Sequence, residues 1–461
     1  MRDMKAIALC VVAVMGLAGV VMGEEMSWKA GVARVRITPD KAIWMTGYGS
    51  RVKVSEGVAH ELYAKALALQ DEAGKAGVIV CADLLGWPAG TSQRIALEIE
   101  KRFGISRDRL VLSCTHTHGG PALWHPHQML YGVRATEAEL RDVEQYTQNL
   151  ERKVVDVVGD ALKGMRTARV SFGHGEALFV MNRRKKTDKG YVIDVDPGGP
   201  VDRDVPVLRA EQEDGKLLAV LFAYACHNTT VGGDCYEFHG DYAGFATASL
   251  EQKHPGAVAM FAMGCGSDAN PQPRGTIDLA RKHGEELAAA VEKTIAAQMT
   301  QVRGNLRTAM GSARLAFAAA PTRKDLETQL EQKDIYYRWQ AKELLKQMDR
   351  DGGLASEYPC PVQVWRLGDQ LMLITIGGEV VVDYALRLKK ELGAEKVWVA
   401  GYCNDVFAYV PSKRVLEEGG YEGEGAMVYY VQPGKFAPTV EETILSKVHE
   451  LVAETGTGKG N

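Results

Sequence analysis

The chain contains no CxxC pair and no HExxH helix, and its net charge of −4 carries no basic excess. The first absence removes the spacing of a zinc knuckle, a dithiol redox site or a disulfide framework. The second removes the zincin protease reading. The third argues against nucleic acid as a partner. After residue 23 no apolar run is long enough to span a bilayer. No internal repeat or low-complexity tract stands out, so a solenoid is not expected.

What remains is 461 residues of ordinary globular composition, 46% hydrophobic and 25% charged. The opening "MRDMKAIALCVVAVMGLAGVVMGEE" has a basic start, an apolar centre and small residues near Gly23. It reads as a signal peptide over 1–23, which predicts an exported protein whose remaining residues, 24–461, form one domain. Seven cysteines follow Cys10, and five of them (Cys81, Cys114, Cys226, Cys265, Cys403) sit near the ends of apolar runs. They are expected as small buried side chains rather than thiolate ligands.

Apolar runs predict strands over 76–82, 109–115, 217–226, 258–264, 371–377 and 396–402. Helical patterns predict helices within 91–103, 137–163, 277–298, 323–349, 380–392 and 440–454, the fourth as a solvated surface helix. The segments 196–204 and 417–426 read as turn-rich loops. The alternation predicts an α/β fold, a mixed sheet flanked by helices. Polar residues follow these strands closely. "THTHGGP" (115–121) follows the second, "CHNTT" the third, "GCGSDANP" the fourth, "GGE" the fifth and "NDVFAYV" the sixth. Ligands bind beyond the carboxyl ends of strands in open α/β sheets, so one shared site is expected there.

HxH alone is a weak signal. In an extended segment, however, His116 and His118 project to one face. His227 adds a third imidazole and Glu379 a carboxylate at a helix start. Two His and one Glu with an open position make a hydrolytic zinc site, at which water is activated and a carbonyl polarised. Other zinc classes fit worse; HxHxDH fails because Gly119 and Gly120 follow His118.

Taken in order, these motifs resemble the neutral ceramidase family. "THTHGGP" is similar to that family's THTHSGP, and "WMTGYGSR" (44–51) to its MGYG segment. "NRR" (182–184), "CHNTT" with "GDYAGFA" (240–246), "GSDANP" (266–271), "GGE" (377–379), "NDVFAYV" (404–410) and "GYEG" (420–423) match further family segments in the same order. The resemblance implies zinc ligands His116, His227, Glu379 and Tyr409. It implies that His118 and Arg183 contact the substrate or its developing charge, and that Tyr421 donates a hydrogen bond to the carbonyl or oxyanion.

Two departures shape the expectation. Asn270 stands at the family's serine position, and an amide cannot be an acyl nucleophile; it can hydrogen-bond an oxyanion or orient water. Ser267 is close but out of register. The ceramidases also continue into a C-terminal β domain, whereas this sequence stops after one helix, which loosens the tie to ceramide. The resulting reading is a zinc-dependent hydrolase cleaving an amide in a small-molecule or lipid-like N-acyl compound by zinc-activated water. Such a substrate leaves room for peripheral membrane contact. A zinc esterase or lactonase on the same scaffold and a non-catalytic binding protein are the alternatives. "WHPHQMLYG" (124–132) is expected to set specificity, with His125 and His127 in a surface loop rather than a second metal site. His239 has no counterpart in the family motif.

Overall fold

The computed structural model describes residues 28–124 and 129–456. The expected signal segment and His125 and His127 lie outside them.

All six predicted strands form: Ala76–Ala82, Leu110–Cys114, Leu217–Tyr224, Val258–Met263, Leu371–Ile376 and Val397–Ala400. Most are buried along their whole length, as near-continuous apolar runs covered on both faces must be. They pair in parallel as consecutive couples: 76–82 with 110–114, 217–224 with 258–263, and 371–376 with 397–400. The expected mixed sheet is present, and a second, smaller sheet stands beside it. The first, nine-stranded, runs in the order 258–263, 217–224, 204–211, 166–176, 28–36, 63–70, 76–82, 110–114, with 300–301 pairing on 166–176. The second, four-stranded, runs 306–316, 357–367, 371–376, 397–400.

The strands that precede the histidines therefore stand toward opposite ends of the first sheet. Curling of the sheet brings those ends together, and a parallel bridge joins Thr117 to Asn228. The second sheet closes on the same place. Asn404 exchanges hydrogen bonds with Leu112, its backbone N–H donating to the Leu112 carbonyl (2.7 Å) and its Oδ1 accepting from the Leu112 N–H (3.0 Å). One core cluster draws on both sheets, with Ile79, Val111 and Met260 packed with Trp365, Leu373 and Trp398.

Helices appear where the periodicity places them, with one correction. The 323–349 pattern divides into Arg323–Gln329 and Ile335–Asp351, restarted by the Asp334 cap, which accepts from the Tyr336 N–H. The second of these is not simply solvated. Tyr336 and Gln340 are buried, and Gln340 donates to the Gln432 carbonyl (2.7 Å). Its polar sequence hides this role because those buried side chains act through hydrogen bonds. The expected loop 417–426 likewise holds short helical turns, Gly420–Gly423 and Gly425–Tyr430. Gly419 and Gly420 supply the positive φ values of 69° and 75° that let the chain turn from the helix Lys413–Glu418 into the first of these.

Candidate metal centre

Three imidazoles, a carboxylate and a phenol converge at the strand ends. His116 Nε2 lies 3.1 Å from His227 Nε2, and Glu379 Oε2 lies 3.3 Å from each. The Tyr409 hydroxyl is 3.4 Å from His227 Nε2, and His118 Nε2 is 3.3 Å from His116 Nε2. All five residues are buried. His116, His118 and His227 form the group of metal-ligating type found among the described residues. The two histidines of the HxH meet as expected but for a different reason. His116 is not extended; its φ of 55° lies in the left-handed region, a conformation that costs a non-glycine residue roughly 1–2 kcal/mol. Such strain gathers at functional sites. The Tyr402 ring packs against His116 at 4.3 Å, and Tyr402 itself has a φ of 57°.

Hydrogen bonds separate the histidines into two kinds. His116 Nδ1 faces the Leu85 carbonyl (2.6 Å) and His227 Nδ1 the Gly266 carbonyl (3.1 Å). Each carbonyl fixes the proton on Nδ1 and leaves an Nε2 lone pair aimed inward, the usual arrangement of a metal-ligating imidazole. His118 Nδ1 is buried without such a partner. Burial and the charge of Arg183 push His227 down to about 3, so it is neutral. Tyr402 donates to Glu379 Oε2 (3.4 Å) and Tyr430 to Oε1.

Converging lone pairs this close repel unless a cation lies between them. Tetrahedral legs of about 2.0–2.1 Å imply donor–donor edges of about 3.3–3.4 Å. The observed edges of 3.1–3.4 Å meet that test. The buried His116, His118 and His227 group, with Glu379 and the Tyr409 hydroxyl beside it, could thus hold a metal ion. The cysteines do not compete: all seven described are free, six are buried, and burial pushes the Cys403 thiol up to about 12.

The remaining expected residues surround this centre. Arg183 donates through Nε to Glu422 (2.8 Å), through one terminal nitrogen to Tyr409 (3.0 Å) and through the other to Asn270 Oδ1 (3.3 Å). Thr229 also donates to Asn270 Oδ1, at 3.2 Å. Tyr421 packs edge-on against Tyr409, with ring centroids 5.2 Å apart. A cavity of about 560 Å³ opens here, lined by His118, Arg183, Asn270, Glu379, Tyr409 and Tyr421 among others. Ser267 is fully buried, its hydroxyl has no partner among the described residues, and it does not line the cavity. His239 sits buried beneath the HxH segment, its N–H donating to the Gly119 carbonyl at 3.0 Å.

Tyr402, Tyr430, Thr229 and Glu422 are absent from the sequence expectations. Glu422 adjoins Tyr421 in a matched motif and was within reach; it pairs with both Arg183 and Arg184. Tyr430 carries no spacing signal.

Comparison with known proteins shows the family and the fold. The family model described as neutral/alkaline non-lysosomal ceramidase, N-terminal, matches residues 28–299, more than half of the chain. Neutral ceramidase A of Dictyostelium discoideum is 25% identical over 275 residues, covering 55% of this chain and 37% of that protein. Neutral ceramidase of Drosophila melanogaster is 25% identical over 263 residues, covering 55% and 36%. The match thus spans little more than a third of the length of these relatives. The crystal structure of neutral ceramidase from Pseudomonas aeruginosa shares the fold, with a TM-score of 0.72 at 19% identity over 93% of this chain and 74% of that one. The chain belongs to the neutral/alkaline non-lysosomal ceramidase family.

Proposed function

We propose that the chain is a zinc-dependent hydrolase that cleaves the amide bond of a small-molecule or lipid-like N-acyl compound. The observation that carries this is the buried triangle of His116 Nε2, His227 Nε2 and Glu379 Oε2, with edges of 3.1, 3.3 and 3.3 Å, opening on a 560 Å³ cavity. Tyr409 completes the ligand set. Zinc bound there supplies a Lewis acid that polarises the acyl carbonyl and makes water a nucleophile near neutral pH.

The chain's own groups do the rest. The Tyr421 hydroxyl makes no hydrogen bond among the described residues and is free to donate to the substrate carbonyl as negative charge builds on it. The Asn270 Oδ1 is engaged by Arg183 and Thr229, so its NH₂ is the end left to donate to the oxyanion or to orient water. Burial holds His118 well below its ordinary value. It therefore stays neutral, with one nitrogen to donate and one to accept a hydrogen bond. Arg183 positions Tyr409 and Asn270, and Glu422 balances its charge. The apolar lining, including Trp87, Leu123 and Phe407, excludes water and suits an acyl chain.

Metal analysis of the purified protein tests the reading. One zinc per chain is expected, and His116→Ala and His227→Ala are each expected to lose both metal and amidase activity. Stoichiometric zinc with full turnover in either variant would overturn it.

A further inference from the structure

Four side chains of formal charge line the cavity: Arg183, Arg274, Glu379 and Asp405. Three are matched from within the protein. Arg183 is ion-paired with Glu422 at 2.8 Å. Glu379 faces the imidazoles of the metal centre. Asp405 accepts from the Tyr358 hydroxyl at 2.6 Å, and burial pushes its carboxyl up to about 7. Arg274 differs. Among the described residues it makes no ion pair, and its polar contact is a long hydrogen bond, 3.4 Å, to the Tyr48 hydroxyl.

The position of Arg274 is defined by its neighbours. The Tyr48 ring packs edge-on against His118 with centroids 4.7 Å apart, so Arg274 lies on the His118 side of the centre. Its backbone is anchored on both sides. Before it the Pro273 carbonyl faces His283 Nε2 (2.7 Å), and after it the Gly275 N–H donates to the Thr230 carbonyl (2.6 Å). On the His116 side the lining is apolar apart from Asp405, whose carboxyl is taken up by Tyr358: Leu85, whose carbonyl holds His116, lies with Trp87 and Phe407. A half-buried guanidinium that lines a cavity and has no counter-ion among the described residues is a site for an anion.

We propose that Arg274 is a specificity-determining residue that receives an anionic group, a carboxylate in the first instance, on the amine half of the N-acyl substrate. The favoured substrates are then N-acyl amino acids, with the acyl chain lying toward Leu85 and Trp87. This rests on the amidase reading above. The reaction balances with water alone: its oxygen bonds to the acyl carbon, the C–N bond breaks, and the nitrogen leaves as an amine after taking a proton.

The test compares N-lauroylglycine with N-lauroylethanolamine, which share the acyl chain and differ in the charge at the far carbon. Zinc-loaded wild-type protein is expected to favour the glycine compound about 10- to 100-fold in kcat/KM, the range of a hydrogen bond to a charged group. Arg274→Gln should bring that ratio close to one, and Arg274→Lys should restore part of it. The ratio is internal to each variant, so a partly unfolded preparation does not disturb it. Binding of N-lauroylglycine is measured alongside by calorimetry. Turnover of both amides with a ratio unmoved by Arg274→Gln overturns this inference and leaves the amidase reading standing. Arg274-dependent binding without turnover of either overturns the amidase reading and leaves the anion pocket standing. Neither turnover nor binding overturns both.

Discussion

The amide of Asn270 is held at its oxygen by Arg183 and Thr229 and presents its nitrogen to the cavity. Loss of one such donor costs about 10²–10³ in kcat in comparable sites. Asn270→Ala is therefore expected to be slow by that factor while zinc stays bound. Ser267→Ala should leave turnover close to wild type, since its hydroxyl is buried, without a partner among the described residues and outside the cavity lining. Intact mass spectrometry during turnover should show no acyl adduct. An adduct on Ser267, or an inactive Ser267→Ala that retains zinc, would return the mechanism to a serine nucleophile. Legibility at this scale followed motif strength. His116, His227, Glu379 and Tyr409 each lie in a short matched segment, whereas Tyr402 and Tyr430 reach Glu379 only because the chain folds back.

At the level of elements, a small charge cluster ties strands to the helix Val382–Leu392, which starts just after Glu379. His174, on the strand Arg166–Glu176, lies 2.9 Å from Asp204, and Lys389 on the helix lies 2.8 Å from the same carboxylate. Burial opposes charge on His174, and Lys389 opposes it further, but Asp204 and the Glu395 carbonyl raise it above its ordinary value of 6.5. A raised imidazole contributes stability that is complete below about 6.5 and fades as pH rises through the folded value. His174→Gln should therefore lower stability at pH 5.5 on the order of 0.5–1 kcal/mol, the group being 28% exposed, and by much less at pH 9. Paired thermal melts at the two pH values check this. An equal Tm loss at both would mean that packing rather than charge carries the contact. Strands and helices were readable because burial of continuous apolar runs follows composition. The division at Asp334 was less so, because a helical pattern rich in Glu, Lys and Gln runs through it.

At the scale of the molecule, the centre exists only while both sheets stay packed. His116 and His227 follow strands of the first sheet, and Glu379 and Tyr409 come from segments following strands of the second. Gly77 lies at their contact: a Cβ there would stand 2.7 Å from the Trp365 ring and 3.0 Å from Leu306. Trp365 is itself fixed, its indole N–H donating to the Asp108 carbonyl at 2.9 Å. Gly77→Val should force the sheets apart, costing about 1–3 kcal/mol by overpacking. It should also lower zinc retention, although the residue touches no ligand. Urea denaturation and metal content report the two effects, and an unchanged midpoint with full zinc would refute the packing account.

The sequence by itself determined the residue types and their order: histidines, a carboxylate and a tyrosine, each just past a buried apolar strand or at its end. It also determined that asparagine, not serine, occupies position 270. Those facts are local, set by side-chain chemistry and by the period of each strand. Only the tertiary structure decided that strands at opposite ends of one sheet curl together, and that a second sheet closes the site. It also decided that carbonyl partners on Nδ1 distinguish His116 and His227 from His118. Sheet closure depends on contacts between residues more than a hundred positions apart, and the two carbonyl contacts span 31 and 39 positions, so no local pattern encodes either. For the same reason Arg274 stands without a counter-ion among the described residues.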